Sequence, residues 1–316
     1  MARLSLSNLV NLTERFLERD IRKSTRDTYR KSLRMFFTWY SNSRRPIAAA
    51  STIVDFKLHS LNLGLSPRTV NNRLYAVRGF FEFLLQSGLI RSNPFKAYPP
   101  LRMCRVPNDR HARESLTKPQ VKKLLDVLDT HASKRDRAIV SLILFNGLRV
   151  AEISRLNVSD IQEIDSRHTI SILGKGHDTK ICLPLLPQSK TPLDDYLSDG
   201  SRPKVSVLFP EFSAEVSWPT SAQRLHPDTI SRICKKYLRL AGLDDPRITA
   251  HSLRHTFATL ALSSGVPFEV VSKILRHSQL STTMIYTRID QESIIFGMKK
   301  AITLMCGNEE MVVLDA

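Results

Sequence analysis

The segment His251-Ser252-Leu253-Arg254-His255 sets a histidine and an arginine three residues apart, which on a helix puts both side chains on one face. Further on, Leu275-Arg276-His277 brings an arginine next to a second histidine, and nine residues after His277 stands Tyr286, closing Ser281-Thr282-Thr283-Met284-Ile285-Tyr286. Upstream, Gly147-Leu148-Arg149-Val150-Ala151-Glu152-Ile153 places an arginine just after a glycine that follows an apolar helical run. Between these lies Gly174-Lys175-Gly176, a turn flanked by short β-branched-rich runs at 169–173 and 181–185 that read as a hairpin. The apolar periodicity around these polar residues does not explain them. His251 and His255, at i and i+4, have the separation of a zinc pair, but Ser252 occupies the place where a His-Glu-x-x-His site carries its glutamate.

Outward from this core the sequence is helical. Thr117 and Pro119 open a helix carrying Val121, Leu124, Leu125 and Leu128, and the next one runs to Phe145 and stops at Asn146-Gly147. In the N-terminal third, Ser24 with Asp27 reads as a cap before Tyr29, Leu33, Phe36, Phe37 and Tyr40. Ser66-Pro67 is an N-cap followed by a first-turn proline, and Val70, Leu74, Val77, Phe81 and Leu84 form the stripe of that helix. At 100° per residue its opposite face holds Arg68, Asn71, Asn72 and Tyr75, a mixture of charge, amide and phenol suited to a helix against DNA. Periodicity ends between Tyr98 and Glu114, where Pro99, Pro100, Arg102, Arg105 and Pro107 make a stiff basic connector. The expected division is therefore a helical unit at 1–98, a linker at 99–114 and a larger unit at 115–316.

The 316 residues, 42% of them hydrophobic, are enough for two cores. Net charge is +17, and residues 1–110 hold 20 Lys and Arg against 7 Asp and Glu. Such a surplus points to a polyanionic partner. No run approaches a membrane span, the N-terminus lacks a signal-peptide stretch, and the four cysteines form no C-x-x-C pair. A cytoplasmic, nucleoid-associated protein in a reducing compartment, with no membrane partner, is the expectation.

The order Arg149, Lys175, His251-x-x-Arg254, His277, Tyr286 closely resembles the tyrosine recombinase family of phage integrases and Xer proteins. The resemblance covers most of the chain. It implies a mostly α protein with two domains forming a clamp on DNA: a small helical core-binding domain, and a larger mainly helical catalytic domain with a small antiparallel β-sheet or hairpin. It further implies site-specific cleavage and rejoining through a covalent 3′-phosphotyrosine on Tyr286, with strands exchanged by way of a Holliday junction. No metal or other cofactor is implied. Arg149 and Arg254 are the guanidiniums for the non-bridging phosphate oxygens. His251 is the base for the tyrosine, Lys175 the proton donor to the departing 5′-oxygen, and His277 a phosphate hydrogen-bond donor. Lys175 is preferred to Lys180 because it lies in the Gly-Lys-Gly sequence where the family's lysine usually sits. Glu152 is read as orienting its neighbours. At one place the sequence departs from the pattern: Arg276 stands where the family usually has glycine before the second histidine.

The resemblance also implies double-stranded DNA with paired inverted sites as partner, and a homotetramer on that DNA. Ile294, Ile295, Met298, Ile302 and Met305 form an apolar stripe beyond the nucleophile, and the tail from about 290 to 316 is expected to dock on a neighbouring protomer. Leu4 to Leu17 already reads as core-binding helix, which favours an Xer-like design without a separate arm-binding domain. Two other functions compete: a catalytically silent DNA-binding protein of the same fold, and a type IB topoisomerase. The presence of every motif residue argues against the first, and the apolar tail against the second.

Overall fold

The computed structural model describes residues 6–19, 23–43, 46–96, 101–106, 114–174, 179–211, 223–276 and 291–306. By internal contacts the chain separates into two units, Met1–Asp109 and Arg110–Ala316, with the boundary inside the proline- and arginine-rich connector.

In the first unit, helices α1 (Leu6–Leu17), α2 (Lys23–Tyr40), α3 (Ala50–Asn62) and α4 (Pro67–Gln86) enclose a core rich in phenylalanine. Ser66 starts α4 as its composition predicts: Oγ accepts from the Thr69 amide at 3.3 Å, and Pro67 fills a position whose missing N–H would have had no helical partner. The stripe Val70, Leu74, Val77, Phe81 and Leu84 is fully buried. Around it the rings meet edge to face, Phe36 on Phe56 at 5.0 Å and Phe37 on Phe80 at 5.4 Å. Helix α2 begins at Lys23, so Ser24 lies within it, and Asp27 pairs with Arg30 at 3.3 Å.

The polar face of α4 is corrected at one position. Arg68, Asn72 and Tyr75 are exposed, but Asn71 is buried. Its amide spans the backbone of Cys104, Nδ2 donating to the carbonyl at 2.9 Å and Oδ1 accepting from the N–H at 2.8 Å. A wheel drawn at 100° per residue cannot show that the chain returns 33 residues later to cover this edge. Lys57 fastens the same stretch, its Nζ donating to the Arg102 carbonyl at 2.8 Å. Residues 101–106 are thus pinned to the first unit, with Arg102 and Arg105 exposed.

In the second unit, α5 (Lys118–His131) and α6 (Lys134–Asn146) are followed by a short α7 (Val150–Ile153). A three-stranded antiparallel sheet comes next, β1 (Ile161–Ile164), β2 (Arg167–Leu173) and β3 (Lys180–Pro184), in that spatial order. The expected hairpin is β2–β3, and β1 adds a strand. Asp165 and Ser166, at φ 49° and 59°, make the two-residue turn from β1 to β2, with the backbone twist a tight hairpin needs. Residues 175–178, between β2 and β3 in sequence, lie outside the described residues.

Helices α8 (Pro187–Leu197), α9 (Pro227–Leu240), α10 (Ala250–Ser263), α11 (Phe268–Ile274) and α12 (Gln291–Cys306) complete the unit around the buried α6. Asn146, at the end of α6, ties it to the sheet by donating to the Pro184 carbonyl at 2.9 Å.

Within the described part of the tail, 291–306, the apolar stripe is covered from inside its own unit. Ile294, Met298, Ala301, Ile302 and Met305 are buried in their own unit, on α10, α11 and α5. Gly297 brings α12 so close that a Cβ there would lie 3.0 Å from Val266 and Val270. The stripe is a core face and carries no information about assembly or against a topoisomerase. Residues 307–316 lie outside the described residues. All four cysteines are free thiols, and burial pushes the Cys234 thiol up to about 12. No helix among the described residues is long and apolar enough to cross a membrane.

Candidate active site

Gly147 is the point from which the site is built. It ends α6 in the left-handed conformation, at φ 59°, where glycine avoids the clash an L side chain would meet. Space imposes the same choice, since a Cβ on Gly147 would lie 2.5 Å from Leu275 Cδ2 and 3.5 Å from the Phe257 ring. This close approach brings the loop of Arg149 against the loop of Leu275 and Arg276. The Gly147 carbonyl then accepts from two guanidiniums, Arg254 through Nη1 and Arg276 through Nη2, the latter at 3.3 Å.

Arg149 is the residue before α7, and Glu152 sits three residues later. The Glu152 side chain reaches back to the Arg149 amide at 2.8 Å, satisfying a free donor at the helix start. Its other oxygen takes Arg149 Nη1, also at 2.8 Å. The same carboxylate, which has no exposed surface, accepts from Arg276 Nη2 at 2.7 Å and Nε at 3.4 Å. Arg254 Nη1 stands 3.9 Å away. Glu152 is thus the anchor of three arginines, one from its own turn and two from elements more than 100 residues away.

Arg254 and His251 come from the first turns of α10. Thr249 precedes this helix, and Ser252 caps it, its Oγ accepting from the Thr249 amide at 3.1 Å and donating to the Arg247 carbonyl at 3.2 Å. The serine in the glutamate position of a zinc motif is therefore a helix cap. Among the described residues no three His, Cys, Asp or Glu side chains are grouped to hold a metal ion. Arg254 is almost fully buried, and its two terminal nitrogens donate to the carbonyls of Gly147 and Leu275, linking the two loops. His251 is exposed. Arg149, His251 and Arg254 line one cavity of about 610 Å³.

The charges in this cavity do not balance. Burial pushes the Glu152 carboxyl up, but Arg276 and Arg149 outweigh it and hold the group below its ordinary range. Burial, followed by the like charges of Arg149 and Arg276, pushes Arg254 down to about 9 in spite of Glu152. Arg276 is likewise lowered, by burial first, with Glu152 opposing. Three guanidiniums about one carboxylate leave an excess of positive charge in a low-dielectric site, which an incoming anion relieves. Arg149, its side chain 27% exposed, is the guanidinium of this set open to such a ligand.

Lys175, His277 and Tyr286 lie outside the described residues. Lys180, the alternative lysine, is paired with the buried carboxylate of Asp160. The sequence reading missed three residues. Arg232 and Lys235 of α9 line the same cavity, and their i, i+3 spacing was the signal available. Lys235 is anchored, donating to the Asp245 carbonyl at 2.8 Å, whereas Arg232 is exposed. The third is Arg276, noticed only as an irregularity of the motif.

Comparison with known proteins agrees with this geometry along most of the chain. Residues 114–293 match the phage integrase family, and residues 13–88 match the phage integrase N-terminal SAM-like domain. A tyrosine recombinase XerD of Pseudomonas putida is 30% identical over 284 residues, covering 87% of this chain and 89% of its own. A tyrosine recombinase XerC of Roseiflexus sp. is 30% identical over 289 residues, covering 87% of each chain. Among solved structures, the XerH site-specific recombinase bound to palindromic difH substrate, a post-cleavage complex, aligns with a TM-score of 0.63 at 22% identity. That alignment covers 95% of this chain and 84% of the other. A lambda integrase(75-356) dimer bound to a COC' core site aligns with a TM-score of 0.65 at 17% identity, covering 89% and 98%. At these identities the two structures speak for the fold.

Proposed function

Since this chain belongs to the phage integrase family and is a tyrosine recombinase of the Xer kind, we propose that it cuts and rejoins DNA at a specific site with Tyr286 as nucleophile. The observation that carries this reading is the convergence of Arg149, His251 and Arg254, from two separated segments, on one cavity with surplus positive charge.

In the proposed reaction the Tyr286 oxygen attacks the scissile phosphorus and His251 takes its proton. The P–O bond to the 5′-oxygen breaks, and Lys175 protonates the departing oxygen. The product is a 3′-phosphotyrosine, which keeps the phosphodiester's energy, so a 5′-hydroxyl of the partner strand can attack it and reseal the backbone without ATP. Negative charge gathering on the non-bridging oxygens is met by Arg149 from the open side and by Arg254 from beneath, with His277 as a further donor. No step calls for a metal ion. Exchange of one strand pair and then the other passes through a Holliday junction within a homotetramer on two paired, inverted sites.

The first unit has the role of holding the duplex. Arg68, Asn72 and Tyr75 present one exposed face of α4, and Arg102 and Arg105 extend the basic surface, while Asn71 contributes by pinning the connector. In this reading the first unit and the connector bind the duplex and the second unit cuts it, in the cytoplasm at the nucleoid.

The test is to trap and sequence DNA covalently attached to the full-length protein, then to measure adduct formation on a nicked duplex of that sequence. Tyr286→Phe binds this duplex and forms no adduct. An adduct that persists in Tyr286→Phe overturns the assignment, and failure of the wild-type chain to trap any DNA overturns the reaction.

A further inference from the structure

Arg276 has the left-handed backbone, at φ 53°, that the motif normally gives to glycine. Its guanidinium has no exposed surface and lies inside the site, not in solvent. Every nitrogen has a partner: Nη1 donates to the Ile274 carbonyl at 2.6 Å, Nη2 to Glu152 and the Gly147 carbonyl, and Nε to Glu152. Arg276, with no exposed surface and no place in the lining of the cavity, is therefore not positioned to meet a phosphate itself. It meets Glu152 in the two-pronged manner that fixes a carboxylate in plane, and Glu152 with its remaining capacity holds both the amide and the Nη1 of Arg149. The Arg276 carbonyl faces Arg149 Nη2 at 3.5 Å, so residue 276 bounds the Arg149 guanidinium from a second side.

We propose that Arg276 is a positioning residue that fixes the Arg149 guanidinium, through Glu152, in the pose that meets the scissile phosphate. The inference rests on the reading of Arg149 given above. Without the Arg276 side chain, Glu152 has Arg149 and the more distant Arg254 as its cationic partners. The carboxylate is then drawn toward Arg254, and the fork holding Arg149 opens. Glycine at this position relaxes the backbone but removes the buried cation, so backbone strain and orientation make opposite predictions for the same substitution.

The experiment measures single-turnover adduct formation on the nicked duplex recovered from the wild-type chain, using Arg276→Gly, Arg276→Lys, Arg149→Ala and the Arg149→Ala/Arg276→Gly double variant. Arg276→Gly is expected to slow cleavage by about tenfold or more, the scale of a misplaced catalytic group, with duplex affinity little changed. Arg276→Lys, which keeps one charge but not the fork, recovers part of the rate. In the Arg149→Ala background Arg276→Gly adds no further loss, because the two act as one unit. A duplex with a methylphosphonate at the scissile position, which lacks the charged oxygen Arg149 meets, shows almost no Arg276→Gly defect. Should Arg276→Gly fail to fold, Arg276→Lys completes the same cycle. Multiplying losses in the double variant, or an undiminished defect on methylphosphonate, overturn the positioning role while leaving the recombinase reading intact. A wild-type chain without adduct overturns both.

Discussion

Replacing Glu152 with glutamine removes the one anion that holds three guanidiniums together. The carboxylate accepts from the Arg149 amide, Arg149 Nη1 and Arg276 Nη2 at 2.7–2.8 Å, and from Arg276 Nε at 3.4 Å. Glutamine keeps one acceptor and turns the other into an NH₂ group facing donors. Removing one member of a buried ion pair costs about 3–5 kcal/mol, because the remaining charges stay buried and unpaired. Against a total stability of about 5–15 kcal/mol that is a large loss. For a domain the size of residues 110–316, each kcal/mol is worth about 2–4 °C, so the second unit should melt roughly 6–20 °C lower. Thermal unfolding followed by circular dichroism measures it. The pH dependence adds a signature. The folded-state pKa of Glu152 lies below its ordinary 4.5, so its contribution is complete above that value and is lost as pH falls through the depressed one. Wild-type and Glu152→Gln stabilities should therefore be far apart at neutral pH and converge below about pH 4.5. DNA affinity should not fall, since the substitution leaves more positive charge in the cavity. A melting difference under about 2 °C at neutral pH, or one that persists unchanged in acid, refutes the anchoring role.

Four further outcomes are expected. Gly147→Ala combines a left-handed φ with a 2.5 Å contact on Leu275 and should cost about 1–3 kcal/mol in denaturant unfolding while slowing cleavage. Met298→Ala should destabilise the second unit by about 2–5 kcal/mol, and truncation before 291 should unfold it; a truncated chain that melts normally would show α12 to be dispensable to the core. Arg68→Ala should make the salt dependence of DNA binding shallower by about one counterion, whereas Asn71→Ala should leave that slope alone and lower stability. Cleavage should proceed in excess EDTA without ATP, and activity restored only by zinc or magnesium would contradict the proposed chemistry.

Where signals were local, the sequence was legible. Ser66-Pro67 and Asn146-Gly147 each state a helix boundary within two residues, and both boundaries stand where those residues put them. Strand β1 was missed because Ile161–Ile164 exposes most of its residues and its turn, Asp165-Ser166, contains no glycine to mark the positive φ values. The amphipathy of α12 was plain, but a stripe says that a face is covered without saying by what, and α10 and α11 cover it here. Asn71 and Arg276 were misjudged or passed over for one reason. Their partners lie 33 and 124 residues away, beyond any periodicity. Glu152 could be read as an orienting group from its place beside Arg149, but only the folded chain brings Arg276 to its other side.

The position of α12 also bears on how the protein is made. The surfaces of α10 and α11 that it covers are translated first and remain uncovered until Ile294 through Met305 leave the ribosome. Up to that point the nascent second unit lacks one wall of its interior, while the basic first unit has already been completed. The core of the second unit can therefore close only after α12 has been made, and a chain stalled before Ile294 carries an open apolar face on α10 and α11.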